Sequence, residues 1–297
     1  AALSDADAVS ICVPTPMRKS GTPNLSHVAD AVEELAMVVP EGATVILEST
    51  VYPGATEEFV DETLTENGHT VGEDIFVAFS PERIDPGNKQ YGPTDIPKVL
   101  GGVTDACGDR AEALYRPVFE EIARVDSATE AELVKLLENT FRAVNIGLIN
   151  ELAQIAHSLD VNIWNAISAA ATKPFGYMPF YPGPGLGGHC IPVDPMFLSW
   201  QANQQGIETR FIDLADQINR EMPVHVVRRL IKLLNDRGIA LSNAEVLLLG
   251  VAYKPEVSDT RESPAIDIID QLSEWQATVS YHDPYVPELS VPPGTYS

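Results

Sequence analysis

The stretch "SATEAELVKLLENTFRAVNIGLINELAQIAHSLD", Ser127 to Asp160, divides this chain into regions of different pattern. Its apolar residues recur three and four apart, which is the spacing of one face of a helix. Ser127 or Thr129 can cap it, with Glu130 and Glu132 at the positive end of the dipole. Upstream the pattern is short apolar runs alternating with amphipathic segments. "AVSICV" (Ala8–Val13), "TVILES" (Thr44–Ser49), "IFVAFS" (Ile75–Ser80) and "KVLGG" (Lys98–Gly102) read as buried parallel strands. Between them, Leu25–Val39 and Ala55–Asn67 carry helical spacing, the first with Asn24 and Ser26 as cap candidates. That alternation predicts a doubly wound α/β sheet whose ligands sit at the carboxyl ends of its strands.

Downstream, further helix is expected at Asn162–Ala170, Pro195–Gln205 and Glu208–Asp236. The alternation then returns with "AEVLLLGVAY" as a buried strand, Ser263–Trp275 as a helix and "ATVSYHD" as a second strand. The expected organisation is three segments: residues 1–126, an α/β domain incomplete at its start; 127–236, all helical; and 237–297, the opening of a second α/β domain. No internal repeat is visible. The chain begins without Met and in mid-pattern, so it is expected to be a fragment that starts inside one domain and stops inside another.

With 19 basic and 43 acidic residues, the 297-residue chain carries a formal charge of −24. Such a surface repels phosphate backbones and anionic lipid, which argues against nucleic-acid and membrane-surface roles. Scarce lysine and dispersed acids also suit a protein kept soluble in high salt. Cys12, Cys107 and Cys190 are few, odd in number and far apart, which is no disulfide framework and fits a reducing, cytoplasmic setting. No apolar run is long enough for a membrane span, and no signal peptide is expected.

The chemistry-bearing stretches lie at loops and strand ends. "PGPGLGGHCIPVDP" (Pro182–Pro195) sets Cys190 in a stiff, glycine-rich loop with Asp194 four residues on. Cys190 could be a nucleophile, a metal ligand, half of a disulfide or apolar filler. The glycines favour a ligand-hugging loop and a chemical role. Metal binding fails on spacing: His189 and Cys190 are adjacent, and His157, His225 and His282 are isolated. Lys135 and Asn139 stand i and i+4 on the long helix, so an ammonium and an amide share one face; they suit an oxyanion, or are an ordinary surface pair. Thr50 in "LESTVYPGAT" and Glu82 in "FSPERIDPGN" follow buried strands. A turn residue and a Glu–Arg surface pair are the plainer alternatives there. In "GVAYKPEVSDTRESP", Lys254 and Arg261 flank a strand-to-helix turn, a natural anion site.

Taken together and in this order, these motifs resemble the UDP-glucose/GDP-mannose dehydrogenase family, the nucleotide-sugar 6-dehydrogenases. "GPGLGGHCIPVDP" is similar to the family's catalytic-cysteine loop, "VPTP" and "STV-PG" to its cofactor-domain signatures, and "YKP…DTRESP" to its nucleotide-sugar signature. The likeness runs essentially end to end. It implies two Rossmann-like domains flanking a helical one, and a four-electron oxidation of a UDP-sugar at C6 with NAD as cofactor. By that resemblance Cys190 is the nucleophile. Lys135 and Asn139 stabilise the oxyanion, Asp194 and Thr50 hold a water, and Glu82 is the base for thioester hydrolysis. Pro14, Thr15, Thr50 and Arg261 would contact the cofactor. Glu82, Lys135, Asn139, Tyr181, Gly187, Tyr253 and Lys254 would contact the UDP-sugar. The long helix would form a homodimer, and no metal is implied.

Two departures bear on these expectations. The family's G-x-G-x-x-G turn is absent from this chain, so the chain alone is expected to be inactive while the full-length protein is an enzyme. "SPER" with "GGHC" looks more like members acting on UDP-N-acetylhexosamines, such as UDP-GlcNAc or UDP-ManNAc, for surface polysaccharides. UDP-glucose is the second choice, and Pro86 stands where the family has a further glutamate. A non-catalytic sugar-nucleotide binder and a thiol redox sensor are the readings from other classes.

Overall fold

Contacts divide the chain into two units, residues 1–139 with 193–208, and residues 140–192 with 209–297. The computed structural model describes residues 3, 5–84, 90–188, 190–291 and 294–296. The expectations for Pro86 and His189 fall outside these.

The first unit holds a five-stranded sheet in sequential order: β1 (Ala8–Ile11), β2 (Thr44–Leu47), β3 (Phe76–Phe79), β4 (Lys98–Gly102) and β5 (Ile122–Arg124). β1, β2 and β3 are parallel and in step, with Ala8 beside Thr44 and Thr44 beside Phe76. β4 corrects the expectation of a parallel strand, for it runs antiparallel to β3. A parallel partner needs a crossover of a dozen residues or more, usually helical. Between β3 and β4 no helix occurs among the described residues, and Pro81, Pro93 and Pro97 mark a loop that turns straight back. β5, parallel to β4, was not anticipated; it has three residues and none is buried.

α1 (Ser26–Ala36) buries Val28, Val32 and Leu35, the expected stripe. Its cap position is Leu25, while Asn24 Oδ1 accepts the Ser26 N–H at 3.3 Å, so Asn24 acts as a turn residue just outside the helix. The second helical segment is not one regular helix. A wide π-type turn, Thr56–Asp61, leads into the short α2 (Glu62–Glu66). α3 (Asp105–Tyr115) was also unforeseen, its sequence being weakly amphipathic. Thr104 caps it, accepting the Cys107 N–H at 3.3 Å. The core is Val45, Leu47, Val77 and Phe79 from the sheet, against Val28 and Val32 from α1.

α4 (Ala128–Ser158) is the long helix the opening stretch predicts. Ser127 Oγ accepts the Glu130 N–H at 3.1 Å, and Glu130 Oε2 accepts the Asp126 N–H at 2.9 Å, a reciprocal cap. Glu132, at the positive end of the dipole as expected, is fully buried. α4 belongs to the first unit through Asn139 and to the second from Thr140. In the second unit Asn162 caps α5 (Ile163–Ala170), accepting the Trp164 N–H at 3.0 Å. α6 (Asp194–Gln204) belongs to the first unit, with Pro195 in its first turn.

The second unit continues with α7 (Arg210–Asn235), then β6 (Glu245–Leu249) parallel to β7 (Thr278–His282), joined by α8 (Pro264–Glu274) with Ser263 as its cap. β6 was expected to be a buried strand, and it is not: Leu247 is 58% and Leu249 77% exposed. Val246 and Leu248 pack on Ile268 and Leu272 of α8, so one face of the strand is covered and the other is open. Two further strands, β8 (Leu289–Val291) and β9 (Gly294–Tyr296), form an antiparallel pair not foreseen from sequence.

Candidate active site

The first turns of α4 organise the loops of the first unit. Lys135 Nζ donates to the Glu82 main-chain oxygen at 2.5 Å. One turn later, Asn139 Nδ2 donates to Asp194 Oδ2 at 2.6 Å. Both acceptors come from distant sequence, the loop after β3 and the start of α6. The i, i+4 spacing therefore does more than place two polar groups on one face; it lets one helix hold two loops. Asn139 and Asp194 are buried. Burial pushes the Asp194 carboxyl up to about 6, against the opposing charge of Lys135 and the Asn139 hydrogen bond. A carboxyl poised there can accept and release a proton near neutral pH.

Glu82 joins this cluster through its backbone. Its side chain is exposed and Oε1 accepts the Ile84 N–H at 2.5 Å, capping its own loop. Arg83 does not pair with Glu82. Its fork reaches Glu138, with Nη2 at 2.6 Å and Nε at 3.3 Å, while Nη1 donates to the Pro97 oxygen at 2.6 Å. Glu138 was overlooked in the sequence, although i+3 from Lys135 was signal enough to consider it.

The strand ends are pinned by Ser49. Its buried hydroxyl donates to the Val13 oxygen at 2.7 Å, which holds the segment entering Pro14 and Thr15 beside the one entering Thr50. Thr15 and Thr50 are half-buried and Pro14 is exposed. All three lie beyond the carboxyl ends of β1 and β2. Just past Thr50, the Pro53–Thr56 turn is gripped by Glu132, which accepts from Gly54 N (2.5 Å), Thr56 N (2.7 Å) and Thr56 Oγ1 (2.6 Å). Burial pushes this carboxyl up to about 7, against those three donors. Glu132 stands i−3 from Lys135, the pattern that could have revealed it.

The remaining candidates belong to the second unit. Cys190 is exposed in the loop that follows the glycines. The loop begins on a buried amide network: the Gly183 N–H donates to Asn150 Oδ1 at 2.9 Å and Asn150 Nδ2 to Asn219 Oδ1 at 2.9 Å. Asn219 Nδ2 then donates to the Ala143 oxygen at 3.1 Å. Neither asparagine was singled out from sequence, where each looked like any polar helix residue. The glycines have a protein-side cause. A Cβ on Gly187 would stand 2.7 Å from Tyr253 Cβ and 2.9 Å from the Glu262 oxygen, and Gly188, at φ +84°, is equally tight against the Tyr253 ring. Tyr181 is exposed and stacks on Trp164 at 5.8 Å between ring centres. Lys254 Nζ lies 6.0 Å from the Tyr253 ring centre. Arg261, which sequence placed in an anion site, grips Asp259 through Nη2 at 2.7 Å and Nε at 2.9 Å.

Sequence models of three domains of the UDP-glucose/GDP-mannose dehydrogenase family match in order: the NAD binding domain over residues 1–119, the central domain over 129–221, and the UDP binding domain over 247–294. UDP-N-acetyl-D-glucosamine 6-dehydrogenase of Pseudomonas aeruginosa is 38% identical, over 93% of this chain and 65% of that protein. UDP-N-acetyl-D-mannosamine dehydrogenase of Pyrococcus horikoshii is 38% identical, over 96% and 67%. The solved structure of a UDP-D-ManNAc dehydrogenase from Pyrococcus horikoshii superposes with a TM-score of 0.89 at 37% identity, again over 96% and 67%. The chain thus spans about two thirds of the length of these relatives.

Proposed function

The chain belongs to the UDP-glucose/GDP-mannose dehydrogenase family, and on that premise we propose that the protein oxidises a UDP-N-acetylhexosamine at C6 to the uronic acid. The observation that carries the proposal is the buried Asn139–Asp194 bond at 2.6 Å beside Lys135. Three of the residues chosen from sequence, Lys135, Asn139 and Asp194, interact there, and the raised carboxyl supports its reading as a proton carrier. The substrate class rests on the relatives named above and on the "SPER" and "GGHC" stretches.

The residues present suit NAD: Pro14, Thr15 and Thr50 converge at the carboxyl edge of β1 and β2, where open α/β sheets bind nucleotides. When bound, NAD supplies the hydride acceptor for both oxidations. Asp194, through a water shared with Thr50, takes the proton of the C6 alcohol as the aldehyde forms. The Cys190 thiolate adds to that aldehyde, making a C–S bond and an oxyanion. Lys135 supplies positive charge to the oxyanion, and Asn139 has a second N–H for it beyond the one given to Asp194. The second oxidation leaves a thioester on Cys190. Glu82 deprotonates the water that hydrolyses it, releasing the carboxylate and the thiol, so one alcohol and one water yield one acid and two reduced cofactors. Gly187, Tyr181, Tyr253 and Lys254 are assigned to the UDP-sugar and Arg261 to the cofactor.

The three segments at 1–126, 127–236 and 237–297 would serve as cofactor, central and UDP-sugar domains. We assign the protein to the cytoplasm; no helix among the described residues is long and apolar enough to cross a membrane. Leu148, Leu152 and Ile155 make an exposed apolar stripe on α4, which supports dimerisation through that helix. The test is NADH release by the full-length protein with UDP-GlcNAc, UDP-ManNAc and UDP-glucose. Turnover with a hexosamine, lost in Cys190→Ala while sugar-nucleotide binding persists, is the expected result. Absence of NADH with every sugar, or full acid formation by Cys190→Ala, would sink the assignment.

A further inference from the structure

We propose that Glu132 is a positioning residue for the catalytic strand-end loop, setting where Thr50 stands relative to Lys135 and Asn139. The proposal rests on the dehydrogenase reading for the role of Thr50, and on geometry for the rest.

A helical segment begins with N–H groups that lack partners, usually satisfied by a Ser, Thr, Asn or Asp just before it. The segment starting at Thr56 has none, since Ala55 occupies its cap position and offers no side-chain acceptor. Glu132 supplies the cap from another helix. Its carboxylate, fully buried, accepts two backbone N–H groups and a hydroxyl from the three-residue stretch Gly54–Thr56. Gly54 sits at φ +97°, a conformation that suits only glycine comfortably, so the turn depends on a glycine there. Gln201 of α6 secures the other side, its Nε2 donating to the Pro53 oxygen at 3.1 Å.

The consequence follows from helix spacing. Glu132, Lys135 and Asn139 stand on successive turns of one face of α4. Glu132 holds the loop after β2, Lys135 the loop after β3, and Asn139 the start of α6. Three segments that carry Thr50, Glu82 and Asp194 are thereby spaced by one rigid helix. Glu132 touches none of the reacting atoms. It acts through the turn, and an ordinary Asp or Ser cap within the loop would close the helix without tying it to α4.

The experiment is steady-state kinetics of the full-length enzyme with UDP-GlcNAc and UDP-ManNAc, comparing wild type, Glu132→Gln, Thr56→Val and the double variant. Glutamine keeps the shape but turns an N–H₂ toward a donor; valine removes one hydroxyl donor and leaves the backbone bonds. Expected are a ten- to hundredfold fall in kcat for Glu132→Gln and a smaller one for Thr56→Val. KM for the sugar nucleotide should stay within about twofold, and the double variant should be no slower than Glu132→Gln. A purely structural cap would instead lower the melting temperature and leave kcat per folded enzyme unchanged, which would overturn the proposal. If Glu132→Gln does not fold, unchanged kcat in Thr56→Val overturns it alone. A wild type that oxidises no UDP-sugar brings down the dehydrogenase reading itself, whereas an active wild type with indifferent variants brings down only the role of Glu132.

Discussion

Replacing Asn139 with alanine should make the stability of the first unit depend on pH in a defined way. In the folded chain Asp194 is held at about 6 against an ordinary 3.8. The sign follows: a carboxyl whose folded value is raised binds its proton more tightly folded than unfolded. Stability therefore falls as pH rises from the ordinary value to the folded one, and is level beyond it. At 1.36 kcal/mol per pH unit, ionising Asp194 in place costs about 3 kcal/mol. The Asn139 amide, donating to Asp194 at 2.6 Å, limits that cost. A hydrogen bond to a buried charge is worth roughly 1.5–3 kcal/mol, so its loss raises Asp194 by about one to two further pH units. Below pH 5 both proteins keep Asp194 protonated, and they differ only by the packing of the lost amide. Between pH 6 and 8 the variant should lose about 2 kcal/mol more than wild type. Urea denaturation at a series of pH values measures this. Trp200, packed at a tilt against Tyr52 in the same unit, is the reporter once the exposed Trp164 and Trp275 are changed to Phe. A stability difference that stays constant within about 0.5 kcal/mol from pH 5 to 9 would mean that the amide does not stabilise an Asp194 charge.

Gly187→Ala must push a methyl into Tyr253 and the Glu262 carbonyl, and a cost of about 1–3 kcal/mol is expected by denaturation; a change under 0.5 would show the loop packs more loosely. Lys98, 6% exposed, donates to Glu48 at 2.7 Å, and Lys98→Met leaves a half-buried carboxylate without its cation, which should cost about 1.5–3 kcal/mol. Burial raises Glu48, but its bonds from Lys98 and Tyr115 hold it below the usual carboxylate range. Wild type should therefore lose that stabilisation as pH falls below about 4.5, and the variant should show no such loss. Leu152→Glu with Ile155→Glu should turn a dimer into monomers by light scattering, and an unaltered mass would remove α4 as the interface. With a charge of −24, the melting temperature should climb as KCl is raised from 0.1 to 2 M, and indifference to salt would discount self-repulsion.

Much was legible before the fold was seen. The long helix, the α/β alternation and the pairing of Lys135 with Asn139 follow from periodicity, which is local and survives in a linear string. Family motifs put Asp194, Cys190 and Thr50 forward as candidates, because chemistry restricts residue types at fixed spacing. The direction of β4 was not legible, since its burial suits either orientation and only the connection from β3, without helix among its described residues, decides between them. The exposed face of β6 was not legible either: the four apolar residues Val246–Leu249 resemble a buried strand, while packing covers a single side.

The side-chain partners depended on tertiary structure most of all. Sequence alone determined that Glu132 lies at the start of a helix, where the dipole welcomes a carboxylate, and that Gly187 lies in a glycine-rich loop. Only the folded chain decided that Glu132 caps a helix more than seventy residues away, and that Gly187 is small because Tyr253 lies against it. Helix period and residue chemistry are encoded within a few positions of each residue. Hydrogen-bond partners and close contacts are set by elements that meet only after the core has closed.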